Sequence, residues 1–152
     1  MGAKENRETI ERYYHALANG DFEALAAIHS DDVVFNLVGQ TPVSGRFVGK
    51  NVCFGEVISE KVLGALVPGK FKFAKKWRIM AADDNCVVGI MQGGGLAKNG
   101  IEYAQTYCQV FTMRNGKITE LHEFFDTVLA EAALFDNHLE KQETGPAQPF
   151  DL

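Results

Sequence analysis

The chain has 152 residues, of which 46% are hydrophobic and 23% charged, enough for one domain with a real core and too few for two. Its net charge of −5, with the basic residues scattered, argues against a nucleic-acid partner. No run of about 18 apolar residues and no signal-like N-terminus is present, so neither membrane spanning nor secretion is expected.

Ile10, Tyr13, Tyr14 and Leu17 fall at i, i+3, i+4 and i+7, which predicts a helix over residues 5–18. Asn19-Gly20 is its stop signal, since glycine accepts the left-handed conformation after a helix. Asp21 then caps a second helix, residues 22–28, by accepting its free N–H groups. Ser30-Asp31-Asp32 ends that helix, and VVFNLVG, residues 33–39, has the β-branched and aromatic content of a strand. A short strand or loop follows around residues 43–48. Residues 49–66 read as a third helix, closed by Pro68-Gly69.

From Phe71 onward the pattern is that of an antiparallel meander, over residues 71–82, 86–98, 101–114 and 117–128. Asn99-Gly100 and Asn115-Gly116 mark two of its turns, because a type I′ turn needs positive φ at both central residues. A final amphipathic segment, residues 129–139, precedes a polar tail that is expected to be mobile. Residues 1–140 thus form one α+β domain, and 141–152 the tail.

Counting outward from Asn115-Gly116 as a two-residue turn sets Val110 opposite Leu121, Cys108 opposite Glu123 and Thr106 opposite Phe125 on one face. The other face pairs Gln109 with His122, Tyr107 with Phe124 and Gln105 with Asp126. The same count at Asn99-Gly100 adds Met91, Gly93 and Gly95 to the first face. Small residues on neighbouring strands predict a hollow there. A carboxylate in such a hollow is costly unless paired, protonated or used in chemistry, so Glu123 becomes the informative residue. Its bland alternative is a solvated glutamate on the other face.

The passage RYYHALANGDFEALAAIHSDDVVFNLVGQTPVSGR, residues 12–46, with the later NGKITELHEFFDT, resembles the nuclear transport factor 2-like superfamily and its SnoaL-like polyketide cyclase and ketosteroid isomerase group. The resemblance implies a cone-shaped α+β barrel, with N-terminal helices on a strongly curved, mainly antiparallel sheet. It also implies a pocket between helices and sheet, and a homodimer. Tyr13 matches the oxyanion-donating tyrosine of ketosteroid isomerase. Asn36 or Leu37 stands where that enzyme has its general-base aspartate, and Cys108 where it has a protonated aspartic acid. Two of its three catalytic positions are therefore changed, which argues against its steroid isomerisation mechanism. Glu123 matches the water-activating carboxylate of limonene-epoxide hydrolase, whose Arg-x-Asp pair has no counterpart here, so epoxide hydrolysis is the weaker enzymatic option. His122 and Asp126 resemble the His and Asp of SnoaL-like cyclases and rank second, being counted onto the outer face.

The expected function is cofactor-independent proton-transfer chemistry, of isomerase, lyase or cyclase type, on a small apolar molecule. Glu123 would be general base or acid, Tyr13 an oxyanion donor and Asn36 an orienting donor. Cys108, Thr106, Val110, Leu121, Phe125, Trp77 and Met91 would line the pocket. The competing reading is a non-catalytic ligand-binding or protein-interaction module of the same fold. The four histidines show no metal-site spacing, so no metal is expected. Three cysteines without CxxC spacing fit a reduced, cytoplasmic setting. The aromatic face expected to carry the dimer contact comprises Tyr103, Tyr107, Phe111 and Phe124.

Overall fold

A computed structural model describes residues 2–140 and 152; the tail expected over 141–152 therefore lies, Leu152 apart, outside the described residues. Helix α1, Ala3–Asn19, ends where Gly20 takes φ 64°, and Asp21 accepts from the Ala24 N–H at 2.9 Å to start α2, Phe22–Ile28. Strand β1, His29–Leu37, follows directly, and β2, Gly45–Val48, pairs back on it.

The helix expected over residues 49–66 forms as a π-helix, Val52–Val62, and a single 3-10 turn, Leu63–Ala65. The wider i→i+5 winding keeps Phe54, Ile58 and Val62, spaced by four, on one side. Each of them lines the cavity described below.

Strands β3, Leu66–Ala82, β4, Cys86–Ala97, β5, Glu102–Arg114, and β6, Lys117–Phe125, form the meander, and α3, Thr127–Phe135, closes it with Asp126 as cap. The six strands lie in the order β2-β1-β6-β5-β4-β3. The β1–β6 pair is parallel and every other pair antiparallel. The sheet is thus mixed and, among the described residues, does not close: β2 and β3 are its edges. Its concave face holds α1 and the π-helix over one core that includes Ile10, Tyr14, Val33, Phe35, Phe111 and Ile118.

Two register details depart from the turn count. Arg114 does pair with Lys117 and Met113 with Ile118, but Thr112 pairs with Glu120, so Thr119 is an extra residue in β6. The bulge moves every later partner by one: Glu123 faces Gln109, and Cys108 faces Phe124. The connection at Asn99-Gly100 is longer than two residues, and Ala97 N–H donates to the Ile101 carbonyl at 2.9 Å. Met91 therefore pairs with Tyr107 and Gly93 with Gln105. On β5 the inward set is Tyr103, Gln105, Tyr107, Gln109, Phe111 and Met113, all buried. Cys108, Thr106 and Val110 point the other way.

The glycine run likewise has a different cause from the one expected. A Cβ on Gly93 would lie 2.7 Å from the Phe73 Cα and 2.8 Å from the Ala74 nitrogen. Strand β3 is irregular there, between the Lys72 and Lys76 pairs, with Ala74 at φ 46°. Glycine thus admits the bulged backbone of β3 against β4, and the space is filled by chain.

Candidate functional site

Between the end of α1, the start of α2, the π-helix and the concave face of the sheet lies an apolar cavity of about 290 Å³. Leu17, Phe22 and Leu25 wall one side, Ile58, Val62 and Leu63 another, and Phe71 and Phe73 of β3 a third. Met91, Tyr107 and Glu123 form its floor, with the Tyr13 hydroxyl beside them; Asn19 and Lys72 also line it. Behind this space a smaller chamber of about 40 Å³ shares Tyr13, Leu25 and Glu123 with it and reaches His29, Phe35, Phe54 and Leu121.

The polar centre of the floor is organised by Gln109, which is 0% exposed. Its Nε2 donates to Glu123 Oε2 at 2.7 Å and to the Tyr13 hydroxyl at 3.2 Å. Its Oε1 accepts from the Tyr14 hydroxyl at 3.0 Å. A carboxylate oxygen facing the amide nitrogen and a tyrosine facing the amide oxygen fix which end is which. Tyr14 reaches Gln109 because position 89 is glycine; a Cβ there would overlap the Tyr14 hydroxyl. Tyr14 is held from its other side by Trp77, stacked at 5.0 Å between ring centroids.

Glu123 keeps partial access to solvent through the cavity, yet protein surrounds it closely enough that desolvation dominates its titration. Burial raises its pKa from the ordinary 4.5 to about 7, against the Gln109 hydrogen bond, which pulls it down. The same burial, reinforced by the negative charge of Glu123, pushes the hydroxyls of Tyr13 and Tyr107 well above the usual phenol range. Both remain protonated at any physiological pH. Because Tyr13 accepts from Gln109, its own proton is available to an oxygen in the cavity. Tyr107 and Tyr103 share a hydrogen bond of 3.0 Å, and burial raises Tyr103 to about 12.

Of the residues singled out from sequence, Glu123, Tyr13, Met91 and Leu121 line this cavity or its back chamber. Phe125 packs on the Tyr107 ring at 6.0 Å. Asn36 lies on the convex face of β1, where its Nδ2 donates to Glu120 Oε1 at 2.8 Å, because Phe35 and Leu37 take the inward positions. The convex face also holds Cys108, Thr106 and Val110, a consequence of the Thr119 bulge and the longer β4–β5 connection. Trp77 braces α1 through Tyr14 and His15 and does not line the cavity. His122 is on the convex face, 3.9 Å from Glu120, and Asp126 accepts from the Leu129 N–H at 3.0 Å to cap α3. Of the aromatic set expected outside, Tyr103, Tyr107 and Phe111 are buried, and Phe124 alone is exposed.

Gln109, Tyr107, Tyr14 and His29 were not assigned to the site from sequence. The alternation Tyr103-Gln105-Tyr107-Gln109-Phe111-Met113 was the available signal for β5, since its odd positions carry most of the large rings. Among the described residues no group of three or more His, Cys, Asp or Glu side chains is placed to hold a metal ion. No helix among them is long and apolar enough to cross a membrane.

Residues 10–121 match the model of the SnoaL-like domain. The chain belongs to the SnoaL-like domain family. No curated protein matches the chain. Solved structures share its fold at low identity. An NTF2-like protein from Burkholderia xenovorans is 19% identical, with 88% of this chain and 98% of that one covered at a TM-score of 0.69. TerC, co-crystallized with polyporic acid, is 22% identical over 86% of this chain and 98% of its own, with a TM-score of 0.70. An LEH-like epoxide hydrolase from M. tuberculosis is 22% identical over 89% and 92%, with a TM-score of 0.62. Such a SnoaL-like chain carries the family's α+β architecture, here with a carboxyl, a free tyrosine proton and an apolar enclosure at one place.

Proposed function

We propose that this SnoaL-like protein is a cofactor-independent enzyme that moves a proton on a mostly apolar small molecule, in an isomerase, lyase or cyclase type of reaction. The observation that carries the proposal is the placement of Glu123 on the floor of an apolar cavity, tied through one amide to Tyr13. A carboxyl with pKa about 7 is divided between base and acid forms at neutral pH, the condition under which one group takes a proton from carbon and returns it elsewhere. The Tyr13 hydroxyl stabilises the oxygen on which negative charge develops. The apolar walls bind the rest of the substrate and strengthen both interactions by excluding water.

Epoxide hydrolysis receives less support. Opening an epoxide needs water activation and protonation of the leaving oxygen, and the Arg-x-Asp pair that serves the second task in limonene-epoxide hydrolase has no counterpart in residues 91–107. The proposal includes assembly as a homodimer through the convex sheet face, where Phe124 is 48% exposed beside half-buried Cys108 and Val110, and a cytoplasmic setting suited to free thiols. Light scattering that gives a monomer at working concentration overturns the dimer.

The test of the chemistry is hydrogen–deuterium exchange at the acidic C–H of cyclic apolar ketones and diketones in deuterium oxide, followed by NMR. The wild-type chain accelerates exchange of at least one such probe, and Glu123→Gln reduces the acceleration by about 10²–10⁴-fold while the fold is kept. Binding without acceleration, or equal rates in wild type and variant, returns the chain to the non-catalytic binding reading.

A further inference from the structure

His29 is the first residue of β1 and is 1% exposed. Its Nδ1 lies 2.7 Å from the Leu25 carbonyl oxygen, one turn back in α2. A carbonyl only accepts, so Nδ1 carries a proton and, in the neutral ring, Nε2 presents a bare lone pair. Burial keeps the ring neutral by lowering its pKa from 6.5 to about 4. The rings of Phe54, Phe35 and Tyr13 flank it edge-on, at 5.0, 5.8 and 5.8 Å between centroids, and none of the three makes a hydrogen bond to Nε2. Among the described residues Nε2 has no hydrogen-bond partner. A buried acceptor left unmade is costly, and the ring lines the back chamber beyond Glu123.

We infer that His29 Nε2 receives a hydroxyl on the buried end of the ligand, so that the molecules taken are apolar compounds bearing a phenol or alcohol. The back chamber, about 40 Å³, has room for a hydroxyl-sized group. Tyr13 and Glu123 border both spaces. A ligand seated by its hydroxyl at His29 therefore passes these two groups before its body enters the larger cavity between Leu17, Val62 and Phe73. His29 acts as a specificity residue: it reads one end of the molecule and sets which atoms come to rest beside Glu123. The inference rests on the cavity being the small-molecule site of the proposed function.

Three probes of nearly equal shape test it: para-cresol, para-methylanisole and para-xylene, with dissociation constants from titration calorimetry or ligand-observed NMR. In the wild-type chain para-cresol binds about fivefold tighter than para-methylanisole. In His29→Phe that ratio falls to about one while the para-xylene affinity stays. A ratio that persists in His29→Phe, or equal binding of all three probes by the wild type, overturns the assignment to His29 and leaves the cavity as a ligand site. Binding of none of the three overturns both. A second readout covers a variant that does not fold. The Nε2 nitrogen resonance of His29 moves on addition of para-cresol to the wild type and stays on addition of para-methylanisole; equal shifts count against the inference.

Discussion

Gln109 and Glu123 face each other across β5 and β6, and the 2.7 Å hydrogen bond between them holds the carboxyl against the cavity floor. Gln109 spends both amide hydrogens there, one on Glu123 and one on Tyr13, and its oxygen on Tyr14. A single uncharged side chain thus sets the positions of Glu123 and Tyr13, the two groups on which the proposed chemistry depends, and ties both to Tyr14.

Replacing Gln109 by Leu deprives buried Tyr14 of its acceptor and Glu123 of its donor. Each such loss costs about 1–3 kcal/mol, so Gln109→Leu lowers stability by about 3 kcal/mol in urea unfolding. Because the lost hydrogen bond favoured the charged form, the pKa of Glu123 rises further, visible in the pH titration of its carboxyl carbon by NMR. A Glu123 titration unchanged in the variant contradicts the geometry.

Glu123 also makes stability depend on pH in a stated direction. Its folded pKa of about 7 lies above the ordinary 4.5, so between these values the folded state holds more protons than the unfolded one. Its contribution is most favourable below pH 4.5 and is lost as pH rises through 7. Glu123→Gln removes this slope. Discounting for the solvent in the cavity, the variant gains on the order of 2 kcal/mol relative to wild type on going from pH 4.5 to pH 8, measured by urea unfolding at both. Parallel pH profiles of the two proteins contradict the raised pKa.

Tyr13→Phe keeps the ring that packs on Phe111 at 5.0 Å and removes the hydroxyl. If Tyr13 stabilises the developing oxyanion, the proton-exchange rate of the probe ketones falls by about 10²-fold or more, with probe affinity changed far less. A loss confined to affinity makes Tyr13 a binding residue only.

Gly89→Ala places a Cβ where the Tyr14 hydroxyl sits, so Tyr14 has to leave Gln109 or the strand has to shift. Overpacking of this kind costs about 1–3 kcal/mol. The thermal midpoint falls accordingly, and the combination with Tyr14→Phe recovers part of the loss, because the clashing atom is gone. No recovery in the double variant shows the cost to lie elsewhere.

What the sequence determined by itself is local. The spacing of Ile10, Tyr13, Tyr14 and Leu17 specifies α1, Gly20 and Asp21 its end and the next start, and Asn115-Gly116 the last hairpin. Alternation along β6 puts Glu123 on the same side as Leu121 and Phe125, since neighbours two apart share a face whatever the strand pairs with. Tertiary structure decided what stands opposite. The extra residue at Thr119 and the longer turn at Asn99-Gly100 each shift pairing by one, and a shift of one exchanges the two faces of β5. Neither has a strong local signature, because a bulge is chosen by how the sheet must bend over its helices. The Thr119 bulge replaced Cys108 by Gln109 as the partner of Glu123, a separate irregularity in β3 filled the glycine run with backbone, and the packing of β1 against the π-helix brought His29 into the same enclosure.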